Sequence, residues 1–140
     1  MHCPDTSPDS LASTADKLRY YRNVKGLLQR EVADHAGIDR STYIKYESKS
    51  HGLYDFDVLA KIAGLLGVSL NNLLDEYNRF VFAQGENLKR LRKRHGLTQA
   101  RLAEMMRVNV ATVKKWERGQ VRMTKKMWER VQSIKNSDSA

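Results

Sequence analysis

Residues 95–119 read HGLTQARLAEMMRVNVATVKKWERG. Apolar side chains fall at Leu102, Ala103 and Met106, then at Val113 and Trp116, the spacing of two short helices that each bury one face. Thr98 stands before the first helix and Asn109 before the second, both good N-cap residues, while Gly96 suits the end of a preceding helix. Residues 25–49, KGLLQREVADHAGIDRSTYIKYESK, repeat the plan, with Val32, Ala33 and Ala36 inward, Gly37 at the break, Asp39 as the next cap, and Tyr43 and Tyr46 inward.

The two stretches are parts of an imperfect duplication. A shift of 70 positions lays residues 18–50 over 88–120, and nine of the 33 pairs are identical, enough to read the halves as copies of one unit. Outward from the first stretch, Leu18 and Tyr21 mark a helix over about Thr14 to Lys25 that ends at Gly26. Phe56, Leu59, Ile62, Ala63 and Leu66 mark a fourth helix ended by Gly67. Ser69 then caps a fifth that holds Leu70, Leu73 and Leu74. In the second copy Leu88 and Leu91 precede the quoted stretch, and Met123, Met127, Val131 and Ile134 follow it on one more helix. No fifth helix fits before the polar end from Lys135 to Ala140, so this domain is expected to lean on another surface.

Composition narrows the function. A chain of 140 residues leaves no room for a small binding domain together with a large effector or catalytic domain. Its 25 Lys and Arg against 16 Asp and Glu give a net charge of +9, which favours a polyanionic partner. No apolar run approaches a membrane span and no signal core is present, so no membrane partner is expected and a cytoplasmic, nucleoid-associated location is. Cys3, beside Pro4, reads as an exposed thiol on a mobile tail, and the scattered His2, His35, His51 and His95 make no metal-ligand spacing. Neither metal nor cofactor is expected. No nucleophile triad, paired-carboxylate site or phosphate loop can be assembled, so the protein is read as no enzyme.

The combination of G-L-x-Q, a central alanine and W/Y-E at fixed offsets resembles the helix-turn-helix of the lambda-repressor and Cro superfamily, often called the XRE family. The resemblance is strong for residues 95–119 and more diverged for 25–49, and covers roughly 15–76 and 86–134. It implies an all-α fold: two small lambda-repressor-like helical bundles, each with a helix-turn-helix. The expected layout is a tail at 1–13, a first domain at 14–76, an apolar linker or helix extension at 77–85, a second domain at 86–135 and a tail at 136–140.

The resemblance also implies a function: sequence-specific binding of double-stranded DNA by a bacterial or phage transcription regulator of repressor type. In such a motif the second helix lies across the duplex backbone while the third enters the major groove. Gln29 and Gln99 match the family position that meets a phosphate and braces the next helix. Arg22 with Glu47, and Arg92 with Glu117, match positions that form an ion pair between the first and third helices. Base reading then falls to the exposed face of the third helix: Val110, Ala111, Lys114 and Lys115 in the second copy, Arg40, Ser41, Ile44 and Lys45 in the first. For each lysine, phosphate contact and plain solvation together weigh about as much as base reading. The inward Val32, Ala33, Tyr43, Tyr46, Leu102, Ala103, Val113 and Trp116 are read as core.

The copies are not expected to be equivalent. Residues 1–76 hold 9 Lys and Arg against 11 Asp and Glu, a net of −2, while residues 77–140 hold 16 against 5, a net of +11. Where phosphate contacts follow the third helix, the second copy offers Arg118, Arg122, Lys125 and Lys126, and the aligned first-copy positions are Ser48, Gly52, Asp55 and Phe56. Leu28 replaces the capping Thr98, and Arg107 replaces the turn residue Gly37, so Arg107 must accept a left-handed or adjusted backbone from which it also reaches for DNA. The second copy is the expected principal reader. The first adds a weaker half-site or serves in assembly.

Leu73, Leu74, Tyr77, Phe80 and Val81 read as one helical stripe, to be buried between the copies, against a second chain as a homodimer, or as a satellite of the first core. Two other functions compete with the repressor: an antitoxin that also binds a toxin, and a protein-binding adaptor that docks on the transcription machinery through the same fold.

Overall fold

The computed structural model describes residues 13–48 and 53–138, and within them the chain is helical. The expectations for Cys3, His2, His51, Gly52 and the tail before Ser13 lie outside the described residues. The chain divides into two compact units, Met1–Asn78 and Arg79–Ala140.

The first unit holds α1 (Thr14–Lys25), α2 (Gln29–Ala36), α3 (Arg40–Tyr46), α4 (Phe56–Leu66) and α5 (Leu70–Leu73). Local chemistry sets the helix ends. Ser13 Oγ accepts from the Asp16 N–H, Asp55 from Asp57 and Val58, and Ser69 Oγ from Asn72, so orphan donors of α1, α4 and α5 are met. Leu28 cannot cap α2 with its side chain. Instead Glu31, three residues on, accepts the Leu28 N–H at 2.7 Å, which is one half of a capping box. Leu18, Val32, Tyr43, Leu59, Ile62 and Leu73 are fully buried in one core, each removal from water stabilising the fold by roughly 1.5–3 kcal/mol.

A polar knot closes this unit. The Thr14 N–H donates to Asp75 Oδ2 at 3.2 Å and the Asp75 N–H donates to Thr14 Oγ1 at 3.0 Å. Asn78 donates its side-chain amide to Asp75 Oδ1 at 2.9 Å, and Lys17 Nζ reaches the Leu74 carbonyl at 3.1 Å. The start of α1 is thereby tied to the end of α5.

That knot corrects the expected stripe. Leu74 is extended (ψ 134°) and α6 (Glu76–Phe82) begins anew, with Asp75 accepting from the Asn78 N–H in its first turn. Leu73 and Leu74 are therefore out of helical phase with Tyr77, Phe80 and Val81. Both leucines are consumed by the first unit's core and offer nothing to a second chain. Tyr77 and Val81 are buried, Phe80 is half-buried and Phe82 is exposed.

The second unit holds α7 (Gln84–Arg94), α8 (Gln99–Met106), α9 (Val110–Glu117) and α10 (Lys125–Asp138), preceded by the rest of α6. The last helix continues to Asp138, through positions that the sequence reading gives to a polar tail. Leu88, Leu102, Met106, Val113, Met123 and Val131 form its buried interior. Thr98 Oγ1 caps α8 by accepting the Arg101 N–H at 3.0 Å, the other half of the capping box that the first unit uses.

Two backbone features are particular to this unit. Arg107 follows α8 at φ 59°, ψ 45°, the one non-glycine residue with positive φ among those described. A left-handed L-residue costs roughly 1–2 kcal/mol. The Arg130 guanidinium donates to the neighbouring Met106 carbonyl at 3.1 Å and helps hold the turn. At Gly85, a Cβ would come 2.3 Å from the Glu117 carbonyl oxygen, so the start of α7 packs directly on the end of α9.

Two substitutions test these constraints by urea unfolding. Gly85→Ala is expected to destabilise the second domain by about 1–3 kcal/mol, since the obstacle is backbone. Arg107→Gly is expected to stabilise it by about 0.5–1 kcal/mol through relief of the left-handed strain.

Candidate nucleic-acid interface

Each unit places three helix ends on one carboxylate. In the second, Arg92 Nε and Nη2 donate to Glu117 at 2.7 and 3.3 Å, Gln99 donates to the same carboxylate at 3.0 Å, and the remaining Arg92 donor reaches the Leu97 carbonyl at 3.0 Å. In the first, Arg22 donates to Glu47 at 2.6 and 3.1 Å, Gln29 to Glu47 at 3.1 Å, and Arg22 to the Leu27 carbonyl at 2.9 Å. Both pairs are largely shielded, with Glu47 and Glu117 side chains 4% and 1% exposed. A forked guanidinium on a carboxylate fixes direction as well as distance, so the first, second and third helices of each copy are locked in one arrangement. The amides of Gln29 and Gln99 are engaged inside it.

The surroundings differ at one position. Tyr43, buried in the first copy, aligns with Val113, and its hydroxyl lies near Glu47 without hydrogen-bond geometry. Burial pushes the Tyr43 phenol well up, and the Glu47 charge adds to this. On Glu47 burial is the largest single effect and raises the carboxyl pKa. The bonds from Arg22 and Gln29, with the nearby Tyr43 hydroxyl and the Arg22 charge, together outweigh it and hold Glu47 below its ordinary value. The Arg22 guanidinium is pushed up, chiefly by its bond to Glu47.

A side chain reaches the carbonyl at the end of the third helix in two ways. In the first copy the Tyr54 hydroxyl donates to the Tyr46 carbonyl at 2.8 Å. In the second, Gln84 donates to the Trp116 and Val121 carbonyls at 3.0 and 2.8 Å and accepts the Met123 N–H at 2.7 Å. Sequence reading missed Tyr54, Gln84, Thr14, Asp75 and Asn78. Only the D-x-x-N spacing of Asp75 and Asn78, a capping pattern, carried a local signal.

With that frame set, α9 turns Val113, Trp116 and Glu117 inward and leaves Val110, Ala111, Lys114, Lys115 and Arg118 exposed. Arg107 is exposed just before it, Lys125 and Lys126 are exposed at the start of α10, and Arg122 is half-buried. The structure thus leaves apolar and cationic side chains exposed together on α9, with further cations on the segments just before and after it. In the first unit Arg40, Ser41, Ile44 and Lys45 are likewise exposed on α3. Its flanks are different. The caps Asp55 and Thr124 correspond, so the register of 70 slips by one residue after the third helix, and the counterparts of Lys125 and Lys126 become Phe56 and Asp57. Glu31, Gly37, Ile44 and Ser48 stand where the second copy has Arg101, Arg107, Lys114 and Arg118.

Among the described residues no helix is long and apolar enough to cross a membrane, and no three His, Cys, Asp or Glu side chains gather as metal ligands. Compared with known families, residues 15–79 match a helix-turn-helix domain and residues 88–131 match a second helix-turn-helix family. No curated protein and no solved structure matches the chain.

The Glu47 shift gives a pH test. The unfolded chain takes up the proton near the ordinary value of 4.5 and the folded one only at lower pH. The stabilisation is therefore full above that value and lost as pH falls through the folded pKa. Urea unfolding should show the first domain weakening on acidification below about 4.5. Glu47→Gln should be less stable at neutral pH and flatter across that acid window.

Proposed function

The chain belongs to the helix-turn-helix family through two tandem lambda-repressor-like domains and is a DNA-binding transcription regulator; from that premise we propose that its second domain, residues 86–135, is the principal reader of a duplex operator and that the protein acts as a repressor. One observation carries the reading: the exposed face of α9 presents Val110, Ala111, Lys114 and Lys115 on a helix whose inner face is fixed by the Arg92–Glu117–Gln99 network.

On this reading α9 enters the major groove. Lys114 and Lys115 donate to guanine O6 and N7, and Val110 and Ala111 meet thymine methyls. Arg107, Arg118, Arg122, Lys125 and Lys126 flank the helix and neutralise backbone phosphates. The amide of Gln99, held by Glu117, orients the α8 N-terminus toward one such phosphate.

A protein-docking role for the first domain, residues 14–76, is favoured by a separate observation. Leu28 and Ile44 are 54% and 43% exposed on the face that corresponds to the reading face of the second copy. Acidic Glu31 and Asp57 replace cations there. Such a surface suits a toxin or a protein of the transcription machinery better than phosphate, with Arg40, Ser41, Lys45 and Gln29 at most supplying a weak half-site.

The aligned pair Lys45 and Lys115 separates the two roles. Against duplexes selected from a random pool, Lys115→Glu, and Lys114→Glu likewise, is expected to cost about 1–3 kcal/mol of binding. Lys45→Glu should leave affinity within about twofold. Equal losses at Lys45 and Lys115 would make the copies equivalent readers, and salt-independent binding would remove the phosphate contacts altogether.

A further inference from the structure

The two domains complete the same side differently. In the first, α5 packs on α1 and α4, buries Leu73 and Leu74, and places Asp75 directly after them. In the second, among the described residues no helix follows α10. The position of Lys17, which holds the Leu74 carbonyl in the first copy, is taken by Asn87, which donates to the Phe80 carbonyl at 2.9 Å instead. In the register set by the caps, Gln132 stands where Ala63 is buried on the first core.

Residues of α7 and α10 that correspond to the α1 and α4 surface under α5, together with Phe80, line a cleft of about 150 Å³: Phe80, Asn87, Arg90, Leu91, Arg94 and Gln132. Phe80 and Leu91 give it an apolar floor. Arg90 and Arg94 stand one helical turn apart at its rim. Arg90 donates to Asn87 Oδ1 at 3.3 Å, and neither arginine has a carboxylate partner among the described residues. The volume suits one or two side chains rather than a whole small-molecule ligand, which usually fills 300 Å³ or more, so roughly half of that or less is offered here.

We infer that this cleft docks a short acidic helix of a partner protein, anchored by apolar side chains and followed by a carboxylate, in the place that α5 fills in the first domain. The first domain supplies the template: paired leucines against α1 and α4, then an aspartate. The charge is complementary, since Arg90 and Arg94 would meet acids at the helix end as forked pairs. Docking of an amphipathic helix in a groove needs few anchors on one face. The inference is independent of which copy reads DNA.

A capped peptide of residues 69–76, SLNNLLDE, titrated into isotope-labelled full-length protein is the probe. Saturable amide shifts are expected at Phe80, Leu91, Arg94 and Gln132. Arg94→Glu, an exposed site, should weaken the peptide by about tenfold or more, and Arg94→Lys should retain most of the affinity. Unsaturable shifts, equal binding of a scrambled peptide, or undiminished binding to Arg94→Glu would overturn the inference. So would benzoate binding at the cleft without the peptide. Self-association of the full chain that the peptide dissolves would assign the cleft to a second copy and overturn the partner.

Discussion

The carboxylates of Glu47 and Glu117 are where each domain's geometry is decided. Each accepts from an arginine of the first helix and a glutamine of the second while belonging to the end of the third. A buried ion pair contributes little net stability, because desolvation offsets most of the attraction. What it supplies here is direction. Both oxygens of each carboxylate accept hydrogen bonds, and a rotated third helix would strand a charge in the core, an error that costs several kcal/mol. For the groove-reading role proposed for α9 that direction matters, since a helix in a groove about as wide as itself tolerates little freedom of that kind.

Around this fixed centre the two copies diverge wherever a different residue meets the same physical need. Glu31 and Thr98 each supply one half of a capping box at the second helix. Tyr54 and Gln84 each satisfy the carbonyl at the end of the third helix, one from after it and one from before it in the chain. Gln84 also brings the start of α7 so near α9 that only glycine fits at position 85, whereas the first copy keeps Ala15 there and joins the same elements through Arg19 and the Glu47 carbonyl. Outside the shared arginine, glutamine and glutamate, the backbone plan is kept by meeting the same donors and acceptors with different side chains.

This explains which parts were legible in the sequence. Helix limits such as Thr14–Lys25 followed from caps and glycines, local signals that survive without tertiary information. The inward positions followed from periodicity, and the left-handed Arg107 from its place opposite Gly37. The closing knot of Thr14, Asp75 and Asn78 was not legible, since contacts across more than sixty residues leave no period. For the same reason Leu73 to Val81 looked like one stripe: hydrophobic spacing does not register a two-residue break whose cause is the bond from Asp75 to Thr14. The one-residue slip after the third helix was hidden by an alignment that matched well up to that point.

The second domain is built under opposing demands. It gathers all of the chain's excess positive charge on a bundle with no fifth helix among the described residues, and it keeps a strained arginine at Arg107 where its twin has glycine. Self-repulsion among cations and left-handed strain both lower stability. Neither is explained by folding. Both fit a surface whose charges are neutralised when a polyanion binds, because a ligand that binds only the folded form restores stability by mass action. In the first domain those cations are missing, the helix count is complete and the closing knot is present. The two copies thus differ in how the same scaffold is completed: the first by a fifth helix and a polar knot, the second by a cationic surface that fits the polyanion-binding role proposed for it.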